Sequence, residues 1–512
     1  MATSVNSTTT DFIHFDDATW ILTSSFIIFT MQTGFSLLES GCVRKKSEVS
    51  VMMKNCIDPL FNGMAYWIVG YGLSVSRAQS NGNSFFAFGQ FFVDSTSPEM
   101  GELFANYVFR LSLSATTTTI AAGAMSERVS FEGYCLFSFM NTILFSIPSH
   151  WIWSAKGFLR ALKVVDIAGC LTVYFIGALS ALISTIYLKP RDGRFALSTT
   201  VLANSSFKRD QRRDRFAMSS PTGILVGTYM LWWGGLGLNM GSTFGVSAHK
   251  WKYASRASIA TMISTVAGGT NALFISFITK NGKFDIILFT TGLLSSMVAI
   301  SGGCTLFKPW ESFVIGTIAS SFGISCIYML QKLQIDDPSN IIAIHLPASI
   351  FGVLAVGLLV EKDTLSEMTF KQSGLLRSHD FYFIGVQCFA LIATAIWTTF
   401  STYFMLFTVN TIFPLRISIE SEYKGCDFVD HNIDYRSNDD NILPQSTMFS
   451  RAMNTSPHTS SKERLAARRS FRKVMNALKF TRNLKGVVDQ NIIRRLKQRQ
   501  TKNMSLSWLS LN

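Results

Sequence analysis

Eleven stretches of about twenty residues run nearly free of charge along this chain, at about 18–39, 57–77, 103–125, 134–153, 166–188, 222–241, 257–278, 285–304, 310–330, 340–360 and 381–408. Soluble domains use shorter apolar runs, whereas roughly twenty residues of helix are needed to cross the hydrocarbon of a bilayer. Lipid offers the backbone no hydrogen bonds, so each such run must be helical. Composition points the same way. The 512 residues are 48% apolar and 15% charged, against about 25% charged in ordinary globular domains. The chain is expected to be an all-α membrane protein with about eleven transmembrane helices.

Basic loops set the expected orientation. Arg44, Lys45 and Lys46 follow the first span, the loop from Lys189 to Arg215 carries eight Lys or Arg against three Asp, and Arg416 follows the last span. These fall on one side, which is then cytoplasmic, although Lys156, Arg160 and Lys163 run against the rule. The N-terminus lies outside and the C-terminus inside. The expected organisation is an extracellular N-terminus (1–17), a membrane domain (18–408), a cytoplasmic tail segment (409–436) and a Ser/Asn/Thr-rich, then basic tail (437–512). No cleavable signal is visible in the polar, acidic start. Asn6 opens an Asn-Ser-Thr glycosylation acceptor on the external side.

The net charge of +14 does not imply a nucleic-acid partner. Fourteen Lys or Arg against two acids lie between Lys462 and Lys502, so the excess belongs to one tail. That tail reads equally as a solvated segment or as a basic helix on the anionic lipid surface, over 463–485. Eight cysteines without a CxxC pair give no metal or disulfide framework, and no cofactor is expected.

Seven segments, in order, carry a resemblance. They are Asp17-x-x-Trp20 with Met31-Gln32-x-Gly34-Phe35-x-Leu37-Leu38-Glu39-x-Gly41 and Val43-Arg44; Gly123-Ala124-x-x-Glu127-Arg128; His150-Trp151-x-Trp153; Asp166-x-Ala168-Gly169, closing on Arg191; Leu231-Trp232-x-Gly234 leading to Gly237-x-Asn239-x-Gly241-Ser242; Ile335-Asp336-Asp337-Pro338 with Ala343-x-His345; and a tail motif from Leu415 to Tyr435. Together they resemble the Amt branch of the Amt/Mep/Rh ammonium transporters. The resemblance implies a homotrimer or mixed trimer with one pore per subunit, a 5+5 inverted pseudo-repeat and an eleventh helix across the outside. It also implies ammonium or ammonia as substrate, with methylammonium as analogue, and no enzymatic activity. The setting is a multi-pass protein among the lipids of the cell membrane.

The resemblance places Trp153 and Ser242 at an outer recruitment site, with Asp166 organising it from behind. Taken alone, Trp153 reads first as an interfacial aromatic, and Asp166 reads as a helix cap. An aromatic face attracts a cation, and a hydroxyl supplies an acceptor. His345 lies inside the tenth span, where an ionisable side chain is by default a functional candidate, or else a bonded core histidine. The family's second pore histidine is replaced by Tyr174, and its two gate phenylalanines by Leu113 and Leu238. Gly235 stands for a tryptophan, and Arg110, a possible perturber of cation entry, for a glutamine. These departures leave a second expectation open: a transport-poor paralogue that senses ammonium or regulates mixed trimers. A membrane enzyme would show clustered intramembrane carboxylates or a nucleophile with its base, and a seven-helix receptor would need four fewer spans.

Overall fold

The structure, a computed structural model, describes residues 15–76, 83–96, 99–195 and 216–434; Asn6 and the basic tail lie outside them. A helix occupies every apolar stretch: α1 (Phe15–Cys42), α2 (Glu48–Ala65), α3 (Met100–Gly123), α4 (Phe131–Trp153), α5 (Ile176–Leu188), α6 (Pro221–Gly241), α7 (Lys250–Thr279), α8 (Ile286–Ile300), α9 (Pro309–Lys332), α10 (Ile341–Leu359) and α11 (Tyr382–Ile412). Two short helices, α12 (Ile419–Lys424) and α13 (Cys426–His431), follow. The described residues form no strand; one isolated bridge joins Val129 to Arg416. Among the described residues, seven helical segments are long and apolar enough to cross a membrane, and Ile286–Ile300 is apolar but shorter.

Two boundaries differ from the sequence expectation for physical reasons. Helix α2 begins at Glu48 rather than near 57: Glu48 and Lys54 lower the hydropathy of its first turns, although Lys54 is buried in the bundle. The fifth helical segment does not start at Asp166. Gly169 takes a left-handed φ of 82°, and a wide π turn, Cys170–Phe175, leads into α5. Such turns concentrate at functional sites. The backbone left unpaired ahead of this turn is satisfied by another helix break: Ile167 and Ala168 donate to the carbonyls of Gly302 and Ser301 at 3.1 Å, just past the end of α8.

Close helix approach comes from small residues. Helices α1 and α6 meet along a seam where a Cβ on Gly227 would lie 2.5 Å from the Leu38 nitrogen, and one on Gly41 2.7 Å from the Ser220 carbonyl oxygen. In α3 the buried hydroxyls of Thr116, Thr117, Thr118 and Thr119 each donate to the carbonyl four residues earlier, at 2.9–3.2 Å. Four threonines in a row are thereby accommodated in a buried helix.

Candidate functional site

The site begins where α4 ends. Trp153 donates its indole N–H to the backbone carbonyl of Asp166 at 2.8 Å. The Asp166 carboxylate accepts from the backbone N–H groups of Leu171 (3.2 Å) and Thr172 (2.9 Å) and from the Thr172 hydroxyl (2.8 Å). It therefore caps the wide turn and fixes the strand of chain on which Trp153 leans. At the C-terminal end of α6, Ser242 donates its hydroxyl to the Leu238 carbonyl at 2.7 Å. That geometry spends the hydroxyl proton and leaves the oxygen lone pairs to accept.

Leu113 and Leu238 are buried in one apolar cluster with Tyr174, and Trp153 packs against it. The cluster also holds Phe109, whose ring lies 5.0 Å from Phe244. Arg110 sets its guanidinium 5.9 Å from the Phe244 ring centre, and no ion pair to Glu102 forms among the described residues. The cation is thus held over an aromatic face. The space a tryptophan would take at 235 is filled from α8: a Cβ on Gly235 would overlap the Met297 sulfur.

His345 stands in α10 with its ring 5.7 Å from that of Tyr174, at 23° between planes, and 6.1 Å from that of Phe35. Its Nδ1 lies 2.8 Å from the Ile341 carbonyl oxygen. A carbonyl can only accept, so Nδ1 carries the proton and Nε2 presents a lone pair. The Tyr174 hydroxyl is buried without a hydrogen-bond partner. Phe35, Phe109, Phe244 and Met297 were not singled out as site residues. Phe35 lies within a motif that carries the resemblance, so the sequence held a signal for it; Met297 has none.

At the end bearing the tail segment, four motifs close into an ion-pair lattice. Glu127 accepts from Arg44 at 2.7 Å and from Arg191; Asp336 accepts from Arg191 (2.8 Å) and Arg128 (2.9 Å). Glu422 of α12 joins through Arg416 at 3.2 Å and the Asp192 backbone N–H at 2.8 Å. Burial pushes the Glu127 carboxyl up, but Arg191 and Arg44 outweigh it and hold it below the usual range. Asp336 is depressed in the same way, with Arg191 and Arg128 overcoming burial.

Long apolar helices enclosing this line of aromatic, hydroxyl and imidazole groups define a multi-pass membrane protein. The sequence model described as "Ammonium Transporter Family" matches residues 19–434, and the chain belongs to that family. It is 36% identical over 483 residues to a Caenorhabditis elegans protein named "Putative ammonium transporter 3", covering 92% of this chain and 68% of that one. It is 30% identical over 438 residues to "Ammonium transporter Amt2" of Archaeoglobus fulgidus, covering 81% and 87%. Among solved structures it matches a "Sensor Amt Protein" with a TM-score of 0.71 at 23% identity, over 81% of this chain and 98% of that one. This last likeness concerns the fold.

Proposed function

We propose that the chain conducts ammonium, as the ion or as ammonia after loss of a proton, through a pore lined by Trp153, Ser242, Leu113, Leu238, Tyr174 and His345. The observation that carries the reading is the fixed tautomer of His345, whose Nε2 lone pair is held beside Tyr174 by the Nδ1 bond to Ile341. Ammonium donates in four directions. It is drawn by the Trp153 face and the Ser242 oxygen, and sheds its water before the apolar Leu113–Leu238 constriction. Beyond it, Nε2 accepts an N–H or a proton. Tyr174 can donate or accept a hydrogen bond, yet a phenol with a reference pKa near 10 is a poor proton acceptor at neutral pH. Proton relay between two imidazoles is therefore replaced by one imidazole and one phenol.

The same reading takes the eleven helices as eleven spans, with the tail inside, a trimeric assembly and the cell membrane as location. In the same reading α1 and α6 are the first helices of two inverted halves, and their close seam supports that pairing. A second reading, a sensing or regulatory subunit of mixed trimers, is favoured by Tyr174 and by the Arg110 cation near the entrance.

Currents and methylammonium uptake in oocytes, for this chain, Tyr174→His and Arg110→Gln at matched surface levels, separate the two. Saturable uptake by the unmodified chain supports conduction. Silence that Tyr174→His relieves supports the regulatory reading. Arg110→Gln is expected to raise uptake at low salt by about threefold or more, since a fixed cation about 6–8 Å from an entering one repels it by about 2–3 kcal/mol at an effective dielectric near 20, before screening.

A further inference from the structure

Between α1, α2, α3 and α4, away from His345, runs a second line of buried polar groups that ammonium conduction does not use. Glu39, Lys54, Asn55, Asp58, Asn62 and Asn141 are each at most 3% exposed. Asn55 donates to Glu39 at 2.9 Å. The Thr119 hydroxyl oxygen lies 2.6 Å from Gln32 Oε1 and 3.1 Å from Asp58 Oδ2. The Asn62 amide nitrogen, with two hydrogens to give, lies within reach of the hydroxyls of Ser114 (3.0 Å), Thr118 (3.1 Å) and Thr142 (2.8 Å), and Asn141 donates to Thr118 at 3.0 Å. The line thus continues from the tail end deep into the bundle.

Two features mark it as a site and not a sealed network. First, Glu39 Oε1, Gln32 Nε2, Asn62 Oδ1 and Asn141 Oδ1 are buried without a hydrogen-bond partner, which buried polar atoms seldom tolerate. A cavity of about 10 Å³ lined by Glu39, Lys54, Asn55, Ser126 and Tyr134 opens beside the first of them, room for about one water. Second, the charges do not balance. Among the described residues, Lys54 is the one ammonium among Glu39, Asp58 and Asp430 of α13. It donates to the Val129 carbonyl at 2.9 Å and lies 3.6 Å from Asp430. Helix α3 brings Thr119, the turn after it brings Ser126, and α4 brings Tyr134. The α9–α10 connection brings Asp337, whose carboxylate caps α10 through the N–H groups of Ile341, Ile342 and Ala343. Neighbouring carboxylates in a low-dielectric interior do not both stay ionised.

We propose that Glu39 and Asp58 form a hydrated proton-binding site inside the bundle, separate from the His345–Tyr174 pore. One proton, taken from hydronium at the tail end past Lys54 and returned there, is shared between the two carboxyl groups through water bonded to the orphaned atoms. Binding converts one carboxylate to a carboxylic acid, and nothing else changes. The site does not rest on ammonium conduction, and its test does not use transport.

The test is infrared difference spectroscopy of the full chain in lipid bilayers as pH is stepped from mildly acid to alkaline. The expected result is a carboxylic acid C=O band that shifts in deuterated water and disappears in Asp58→Asn. In Glu39→Gln its titration midpoint should move by about one pH unit or more, a tenfold change in proton affinity. Thermal melts report folding. Should Asp58→Asn fail to fold, Asp58→Glu, which keeps the acid, must shift the band. Absence of the band, indifference to both variants, or indifference to deuterated water would each overturn the proposal.

Discussion

His345 gains its chemistry from one backbone bond. With Nδ1 committed to Ile341, a substitution that keeps shape but loses Nε2 removes the lone pair from the proposed pore, and His345→Ala removes the ring as well. At position 235 the absence of a side chain is used by its neighbour, since Met297 fills the place. Gly235→Trp should therefore destabilise by about 1–3 kcal/mol, the usual cost of overpacking, read as a lower melting temperature in detergent. Met297→Ala in the same chain should recover much of the loss. His345 was legible in the sequence because an ionisable group within an apolar run stands out, and Tyr174 because its spacing from Asp166 matched a family pattern. Met297 was not, because an apolar residue in an apolar span carries no mark of what it touches.

At the scale of the helix, small residues decide how closely segments approach. Gly227→Leu should force α6 away from α1 and cost about 1–3 kcal/mol or more, whereas Gly63→Ala, with nothing within 4 Å of its Cβ, should be neutral or stabilising by up to about 1 kcal/mol. Melting temperatures of the two variants give the comparison, and equal effects would deny the seam. The helices themselves were legible from apolar length. The start of α2 was not: Glu48 and Lys54 read as a loop until the buried partners of Lys54 are known. Nor was the turn at Gly169, where a left-handed residue delays the fifth helix past Asp166.

Across the whole molecule, residues far apart in sequence converge on Glu127 and Asp336, and Glu422 ties the tail segment to the same helix ends through Arg44 and the Asp192 N–H. The motifs were visible in order, but their pairing was not, since charge in a loop does not name its partner. Removing one member of a buried pair typically costs about 3–5 kcal/mol by stranding the other, so Asp336→Asn should lower the melting temperature clearly. The pH dependence follows from the sign. Both carboxyls are depressed in the fold, so their stabilisation is complete above ordinary carboxylate values near 4 and is lost as pH falls through their lower folded values. Melting temperature should stay level from neutral pH to about 5 on their account and fall only in stronger acid; Asp336→Asn should flatten that acid limb.

The most direct measurement is saturable methylammonium uptake by the unmodified chain and by His345→Ala at equal surface abundance. A pore passing the His345 imidazole predicts uptake in the first and a loss of about tenfold or more in the second, equivalent to about 1.4 kcal/mol of barrier. Equal uptake by the two would contradict the account, because the substrate would then cross without meeting the group on which the pore depends.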